Sequence, residues 1–361
     1  MTEPLPTTSS TSPSTVAWPD AAREAEFQRW LSAVAPAHGL DAATVHIASA
    51  DASMRRYLRV NAAGGTAIVM DAPAQAGEVR SFVAIAGLID RAGLHAPRVL
   101  TCDAEAGFVL LTDLGTTPYL GALTDATPRQ ADLLMRDAIH ALVHWQSHVD
   151  AATLPPYDEA LLRRELQLFP DWCVQREHGV AWGERERAVW DGTCRLLLDS
   201  ALAQPRVAVH RDWMPRNLMV TEPNPGILDF QDAVHGPVTY DIASLLRDAF
   251  LSWDEEREID WAARYWEQAR RAGVLGDAAM AEDFGEFWRA LEWMGLQRHL
   301  KVLGIFCRLK HRDGKPRYAQ DLPRFFGYAM KVAVRYRPLE PLLALLEPLA
   351  GVSAETGFTL R

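Results

Sequence analysis

The stretch VAVHRDWMPRNLMVTEPNPGILDFQDAVHGPVTYD, from Val207 to Asp241, constrains this chain more than any other. Val207 and Val209 form a β-branched run that ends in His210-Arg211-Asp212, and Asn217 follows five residues after the aspartate. Two apolar segments, 218–220 and 227–230, flank the turn-forming Glu222-Pro223-Asn224-Pro225-Gly226. That pattern predicts a β-hairpin whose second strand ends on Asp229, in Leu228-Asp229-Phe230. One aspartate and one asparagine therefore stand on a loop before the hairpin, and a second aspartate stands at its end. Phosphoryl transfer asks for this layout, because its loose transition state spreads charge over oxygens and is served by positioning and by Mg²⁺. Mg²⁺ takes only one or two oxygen ligands from a protein, and Asn217 and Asp229 are the expected ones. Asp212 is left to accept the proton of an attacking hydroxyl. The plainer alternative is a polar loop that caps a helix, with Asp232 and Asp241 as surface carboxylates. Three elements in order, with a hairpin between them, weigh against it.

The spacing matches the kinase catalytic-loop pattern H-R-D-x-x-x-x-N followed by D-F-x. The stretch resembles the aminoglycoside phosphotransferase and choline kinase-like branch of the protein-kinase-like superfamily. Phe230-Gln231 replaces the Phe-Gly of protein kinases, no Ala-Pro-Glu follows, and Tyr240-Asp241-Ile242-Ala243 opens a helix as it does in the small-molecule kinases. More narrowly, Leu228–Ala233 with Gly236–Asp241 is similar to the anomeric N-acetylmuramate/N-acetylglucosamine kinases of bacterial cell-wall recycling. The likeness runs from about Trp18 to the C-terminal region. It implies an α+β, bilobal protein-kinase-like fold with a five-stranded N-lobe sheet and a mainly helical C-lobe. It also implies an ATP- and Mg²⁺-dependent kinase of an amino sugar. His210 is expected to brace the loop, Asp241 to support it from a helix start, and Asp232 to orient substrate or a metal-bound water.

Composition narrows the partners. The 361 residues are 48% hydrophobic and 23% charged, ordinary for a globular chain, and the net charge of −10 argues against nucleic acid or an anionic membrane surface. Four cysteines lie far apart with no CxxC, which reads as free thiols in a reducing compartment, the cytoplasm. No apolar run is long enough to span a membrane. Residues 1–17 read as a Pro/Ser/Thr-rich disordered tail rather than a signal peptide. An N-lobe over 18–111, a C-lobe over 112–361 and a monomer are expected.

Helical spacing of Phe27, Trp30, Leu31 and Val34 begins after Asp20, a plausible N-cap. Segments 44–47, 56–60, 66–70, 99–100 and 108–111 read as strands, with a helix lined by Val79, Phe82, Ala86 and Ile89 between the third and fourth. Thr112, Asp113 and Leu114 are either a hinge whose backbone receives adenine or an ordinary strand-ending turn. The small-residue turn 49–53, with the Ser53 hydroxyl, would let backbone N–H groups approach a phosphate. The kinase pattern asks for a lysine on the third strand, yet none is there, and the first lysine in the chain is Lys301. Arg55 and Arg56 are the nearest cations to take its place, since arginine suits bidentate phosphate contacts. Glu78 either orients one of them or is an exposed helix-start carboxylate.

Two stretches are candidates for the acceptor pocket. Glu165, Phe169, Asp171 and Trp172 lie where this kinase branch inserts substrate helices. The run Arg308-Leu309-Lys310-His311-Arg312-Asp313-Gly314-Lys315 is the most basic in an acidic chain, and Arg308 and Arg312 could meet a sugar carboxylate. A solvated loop is the other reading of that run. His140, His144 and His148 share a helical spacing but lack the glutamate of a zinc-protease motif, so a polar face is expected. The alternatives for function are a kinase of an aminoglycoside, choline or homoserine, or a nucleotide-binding pseudokinase that regulates a partner.

Overall fold

A computed structural model describes residues 16–49, 55–73 and 76–352. The chain divides into two compact units, one running to Asp90 and including Ala96–Gly115, the other comprising Arg91–His95 and the chain from Thr116. The division therefore falls after Gly115, a few residues beyond the expected boundary at Thr112.

The first unit is built on a five-stranded antiparallel sheet. Helix α1 (Ala21–His38) starts at Asp20, whose side chain accepts from the Arg23 N–H at 2.7 Å. Strands β1 (Leu40–Ser49), β2 (Arg56–Ala62) and β3 (Gly65–Asp71) follow, then helix α2 (Ala76–Arg91), β4 (Val99–Asp103) and β5 (Phe108–Thr112). The order across the sheet is β1-β2-β3-β5-β4. Because side chains alternate, Leu58, Val60, Ala67, Val69, Phe108 and Leu110 share one face and bury it with Phe27 and Leu31 of α1. All five predicted strands form. Most run longer than their apolar residues suggest, since ladder pairing such as Leu40↔Ala62 needs only backbone groups.

At the end of β3, where the sheet meets α1, Asp71 is fully buried and pairs with both Arg23 and Arg56. Arg56 also donates to the Ala17 carbonyl at 2.7 Å and lies over the Trp18 ring at 4.4 Å. Its guanidinium thus ties the start of the described chain to β3. Arg56→Ala is expected to lower stability by about 1.5–3 kcal/mol, the worth of a hydrogen bond to a charged group. Urea unfolding checks this, and an unchanged midpoint would contradict it.

The second unit is mainly helical. Helices α3 (Tyr119–Thr124), α4 (Pro128–His148) and α5 (Glu159–Leu166) lead to a π-helical segment, Phe169–Glu177, and to α6 (Glu184–Leu202). Four short strands follow: β6 (Arg206–Val209), β7 (Leu218–Met219), β8 (Gly226–Ile227) and β9 (Val234–Pro237). Helices α7 (Thr239–Leu246), α8 (Glu255–Arg271), α9 (Ala279–Glu282), α10 (Phe284–His311), α11 (Leu322–Arg335) and α12 (Leu343–Ala350) complete it. The middle of α10, from Met294 to Leu300, is buried on every side, so this is the central helix of the unit. Close packing there depends on Gly304, where a Cβ would come within 2.3 Å of the Leu168 backbone. No helix among the described residues is long and apolar enough to cross a membrane.

Candidate active site

Two small antiparallel sheets hold the stretch that begins at His210. Strand β6 pairs with β9 through Val207↔Gly236 and Val209↔Val234, and β7 pairs with β8 through Leu218↔Ile227. The loop 210–217 leaves the first pair and enters the second. The hairpin is shorter than predicted. Its second strand ends at Ile227, because Asp229 adopts a left-handed conformation (φ 60°) that a ladder cannot continue. The Leu228 N–H donates to the Asn217 carbonyl at 2.9 Å, which sets Asn217 beside the segment carrying Asp229. The Asn217 side-chain amide donates to the Asp212 carbonyl at 3.0 Å, so its Oδ1 is the side-chain atom that could accept a bond or hold a cation. The Gln231 amide donates to Asp229 Oδ1 at 3.0 Å. Asn217 is buried, while Asp212 and Asp229 are half-buried. Hard oxygen donors in this number suit Mg²⁺, with phosphates and waters completing the shell.

Asp241, expected as a support, is fully buried in the first turn of α7. It accepts from the backbone N–H groups of His210 (2.7 Å) and Arg211 (2.9 Å) and so fixes the root of the loop. Burial pushes its carboxyl up to about 7, against the pull of those two N–H groups. A carboxyl raised in the fold contributes less stability as pH rises from about 4 towards that value.

His210 is buried against Trp213, edge to face at 5.4 Å, and its Nδ1 accepts from the Asp212 N–H at 3.3 Å. Burial pushes the imidazole down to about 4, opposed by the Asp212 carboxylate. The ring is therefore neutral at pH 7 and braces the loop as an acceptor. Between about pH 6.5 and 4 the unfolded chain takes up a proton that the folded chain refuses, so stability falls with pH by about 1.4 kcal/mol per unit. His210→Gln is expected to remove that slope. Asp241 titrates in both proteins, so the difference between their urea-unfolding free energies isolates the histidine. Parallel curves for the two would contradict this.

Beside the loop lies a cluster that sequence reasoning placed only in part. Arg211, itself left-handed (φ 76°), pairs its guanidinium with Glu165 of α5 and lies over the Tyr157 ring at 5.7 Å. Glu165 also accepts from the Tyr157 hydroxyl and pairs with Lys301 Nζ at 2.9 Å. Lys301, on α10, donates to the Tyr240 hydroxyl at 3.0 Å. Tyr157 is seated by Gly236 of β9, where a Cβ would meet its ring at 2.9 Å. Glu165, expected to touch substrate, is thus engaged by three protein donors. The role of Lys301 was missed; its being the first lysine of the chain was the only signal.

Ser53 lies outside the described residues. Arg55 and Trp172 are half-buried, Asp232 and Glu78 are exposed, and Phe169 is in the core against Trp190 at 5.4 Å. Asp113 is held by Arg59, by the Thr66 hydroxyl at 2.6 Å and by the Gly115 N–H at 2.9 Å. Thr112 pairs backbone groups with Arg98, and Leu114 is buried. The basic run ends α10 at His311 and continues through the turn 312–315. Lys310 and His311 both meet Glu177 at 2.6 Å, Arg312 meets Asp313 at 2.7 Å, and Arg308 is half-buried. On α4, His144 Nε2 bonds to the Ala92 carbonyl at 2.7 Å and its ring stacks on His148. No group of three or more His, Cys, Asp or Glu that could hold a metal occurs among the described residues.

The family model described as "Phosphotransferase enzyme family" matches residues 44–291, a span that takes in both the sheet and the Asp212–Asp241 site. The chain belongs to that family. Its fold is protein-kinase-like. An ADP-bound aminoglycoside phosphotransferase, APH(2'')-Ib, superposes with a TM-score of 0.55 at 11% identity, covering 83% of this chain and 96% of that one. A ternary complex of APH(2'')-IIa with streptomycin and ATP gives 0.55 at 12% identity, covering 85% and 97%. Among curated proteins, the N-acetylmuramate/N-acetylglucosamine kinase of Pseudomonas putida is 51% identical over 87% of this chain and 91% of its own length. The protein of that name from Neisseria meningitidis serogroup B is 45% identical over 93% and 99%. Family membership makes the chain a phosphotransferase.

Proposed function

We propose that this phosphotransferase moves the γ-phosphoryl group of ATP to the anomeric hydroxyl of N-acetylmuramate and N-acetylglucosamine. The observation that carries the reading is the pinned Asp212–Asn217–Asp229 set in a chain 45–51% identical to proteins named for those two sugars. In this reading Asp212 accepts the hydrogen bond, and then the proton, of the sugar hydroxyl. Asn217 Oδ1 and the Asp229 carboxylate hold Mg²⁺. When bound, that ion neutralises charge on the phosphate oxygens. Backbone groups at Asp113 and Leu114 receive the adenine, the Thr112 N–H being given to the Arg98 carbonyl, and Arg55 takes the phosphate contact. Trp172 and Arg308 face the acceptor, with Asp232 in support.

A coupled assay of ATP consumption across both sugars, choline, homoserine and a kanamycin-like aminoglycoside tests this. Turnover is expected with the sugars alone, and the product should lose its reducing-end reactivity, since the anomeric position is then blocked. Turnover of the aminoglycoside in their place, or a product that still reduces, would overturn the assignment. A chain that bound nucleotide and turned over nothing would be the regulatory pseudokinase.

A further inference from the structure

Arg211 carries an uncommon strain. A non-glycine residue at φ 76° lies in the left-handed region, where an L side chain's Cβ crowds the following carbonyl oxygen. Such a conformation persists only where the surroundings over-determine it. Here they do so from three elements. Asp241 of α7 takes the Arg211 N–H, Glu165 of α5 takes its guanidinium, and Lys301 of α10 takes the same Glu165 oxygen at 2.9 Å. Lys301 also holds the hydroxyl of Tyr240, the residue before Asp241. The cluster therefore closes on itself around the residue that precedes Asp212.

Its charges are matched to that task. Glu165 is 5% exposed and could not stay ionised there without cations, and Arg211 and Lys301 supply two. Burial disfavours the Lys301 ammonium, yet Tyr240 and Glu165 hold its pKa above the ordinary value, so it remains charged. Both Glu165 oxygens are already occupied, Oε1 by the two cations and Oε2 by Tyr157. An acceptor sugar would have to break the cluster to use this carboxylate.

We propose that Glu165 and Lys301 are positioning residues for phosphoryl transfer: acting through Arg211, they hold the loop in the strained conformation that aims Asp212 at the acceptor hydroxyl. The proposal rests on Asp212 being the base. Its effect falls on the aim of one carboxylate and leaves substrate affinity alone. Loss of that aim by about 1 Å is enough to lower a rate about 10²-fold.

The test compares Lys301→Met, Lys301→Arg, Glu165→Gln and Tyr240→Phe by steady-state kinetics with both sugars. Lys301→Met and Glu165→Gln are expected to lower kcat roughly 10- to 100-fold, with KM for ATP and for sugar unchanged within about twofold. Lys301→Arg keeps the cation and should recover at least about tenfold of the loss, which a packing defect would not. If Glu165→Gln does not fold, Tyr240→Phe still removes one Lys301 contact without stranding a charge, and a several-fold fall in kcat alone is expected. Unchanged kcat in Lys301→Met would overturn the proposal. So would a rise in sugar KM at constant kcat, which would make these residues substrate contacts, or a loss that Lys301→Arg does not recover. Should Asp212→Asn keep its turnover, the assignment of the base fails, whatever the Lys301 variants do.

Discussion

Asp212→Asn lowers turnover by roughly 10²–10⁴-fold, the usual worth of a general base, and leaves Mg²⁺-dependent nucleotide binding nearly intact. The substitution keeps the side chain's shape. The contacts that shape the loop are the His210 and Arg211 N–H groups on the Asp241 carboxylate, the Arg211 guanidinium on Glu165, and the Asn217 side-chain amide on the Asp212 carbonyl. None of these uses the Asp212 carboxylate, so the variant should fold as the wild type does and lose only the proton acceptor. Single-turnover kinetics with saturating ATP and sugar separate the chemical step from binding. Near-wild-type turnover in a correctly folded variant would remove Asp212 from the mechanism.

Asp229→Ala should fail differently, losing Mg²⁺-dependent nucleotide binding together with turnover. A metal ion contributes several kcal/mol of charge stabilisation to such a transition state, so a loss of about 10³-fold or more is expected. Alanine also disfavours the left-handed backbone at 229, and the Gln231 amide loses its partner. Asp229→Asn separates the two effects, since asparagine tolerates that conformation but is a poorer metal ligand. Titration of nucleotide with and without Mg²⁺ reads the outcome. If either variant bound Mg-ATP as well as wild type, Asp229 would not be a ligand.

Much of this was legible in the chain because it is local. The segments 56–60 and 66–70 marked strands of the sheet, and Asp20 marked the start of α1, since each signal lies within a few residues of its effect. The spacing of Asp212, Asn217 and Asp229 was equally local. What local pattern does not carry is which charge meets which. Glu165 looked like a substrate carboxylate and Arg56 like a phosphate clamp. Their partners, Arg211 with Lys301 and Asp71 with Trp18, lie elsewhere in sequence and come together only when α5 packs beside α10, and when β2 pairs with β3. The hairpin was drawn too long for a related reason: hydrophobicity runs on through Leu228 and Phe230, while the ladder is ended by the φ of Asp229.

That left-handed geometry at Arg211 and Asp229 has a bearing on engineering. At a left-handed position, glycine or asparagine relieves the steric cost that other side chains bear. Here such a replacement would discard the guanidinium that Glu165 grips, or the carboxylate proposed to hold Mg²⁺. Thermostability and catalytic speed are set against each other at these two sites. A library selected only for heat resistance should accumulate relaxed, slow variants at 211 and 229, and the two positions are best held fixed when the rest of the chain is stabilised.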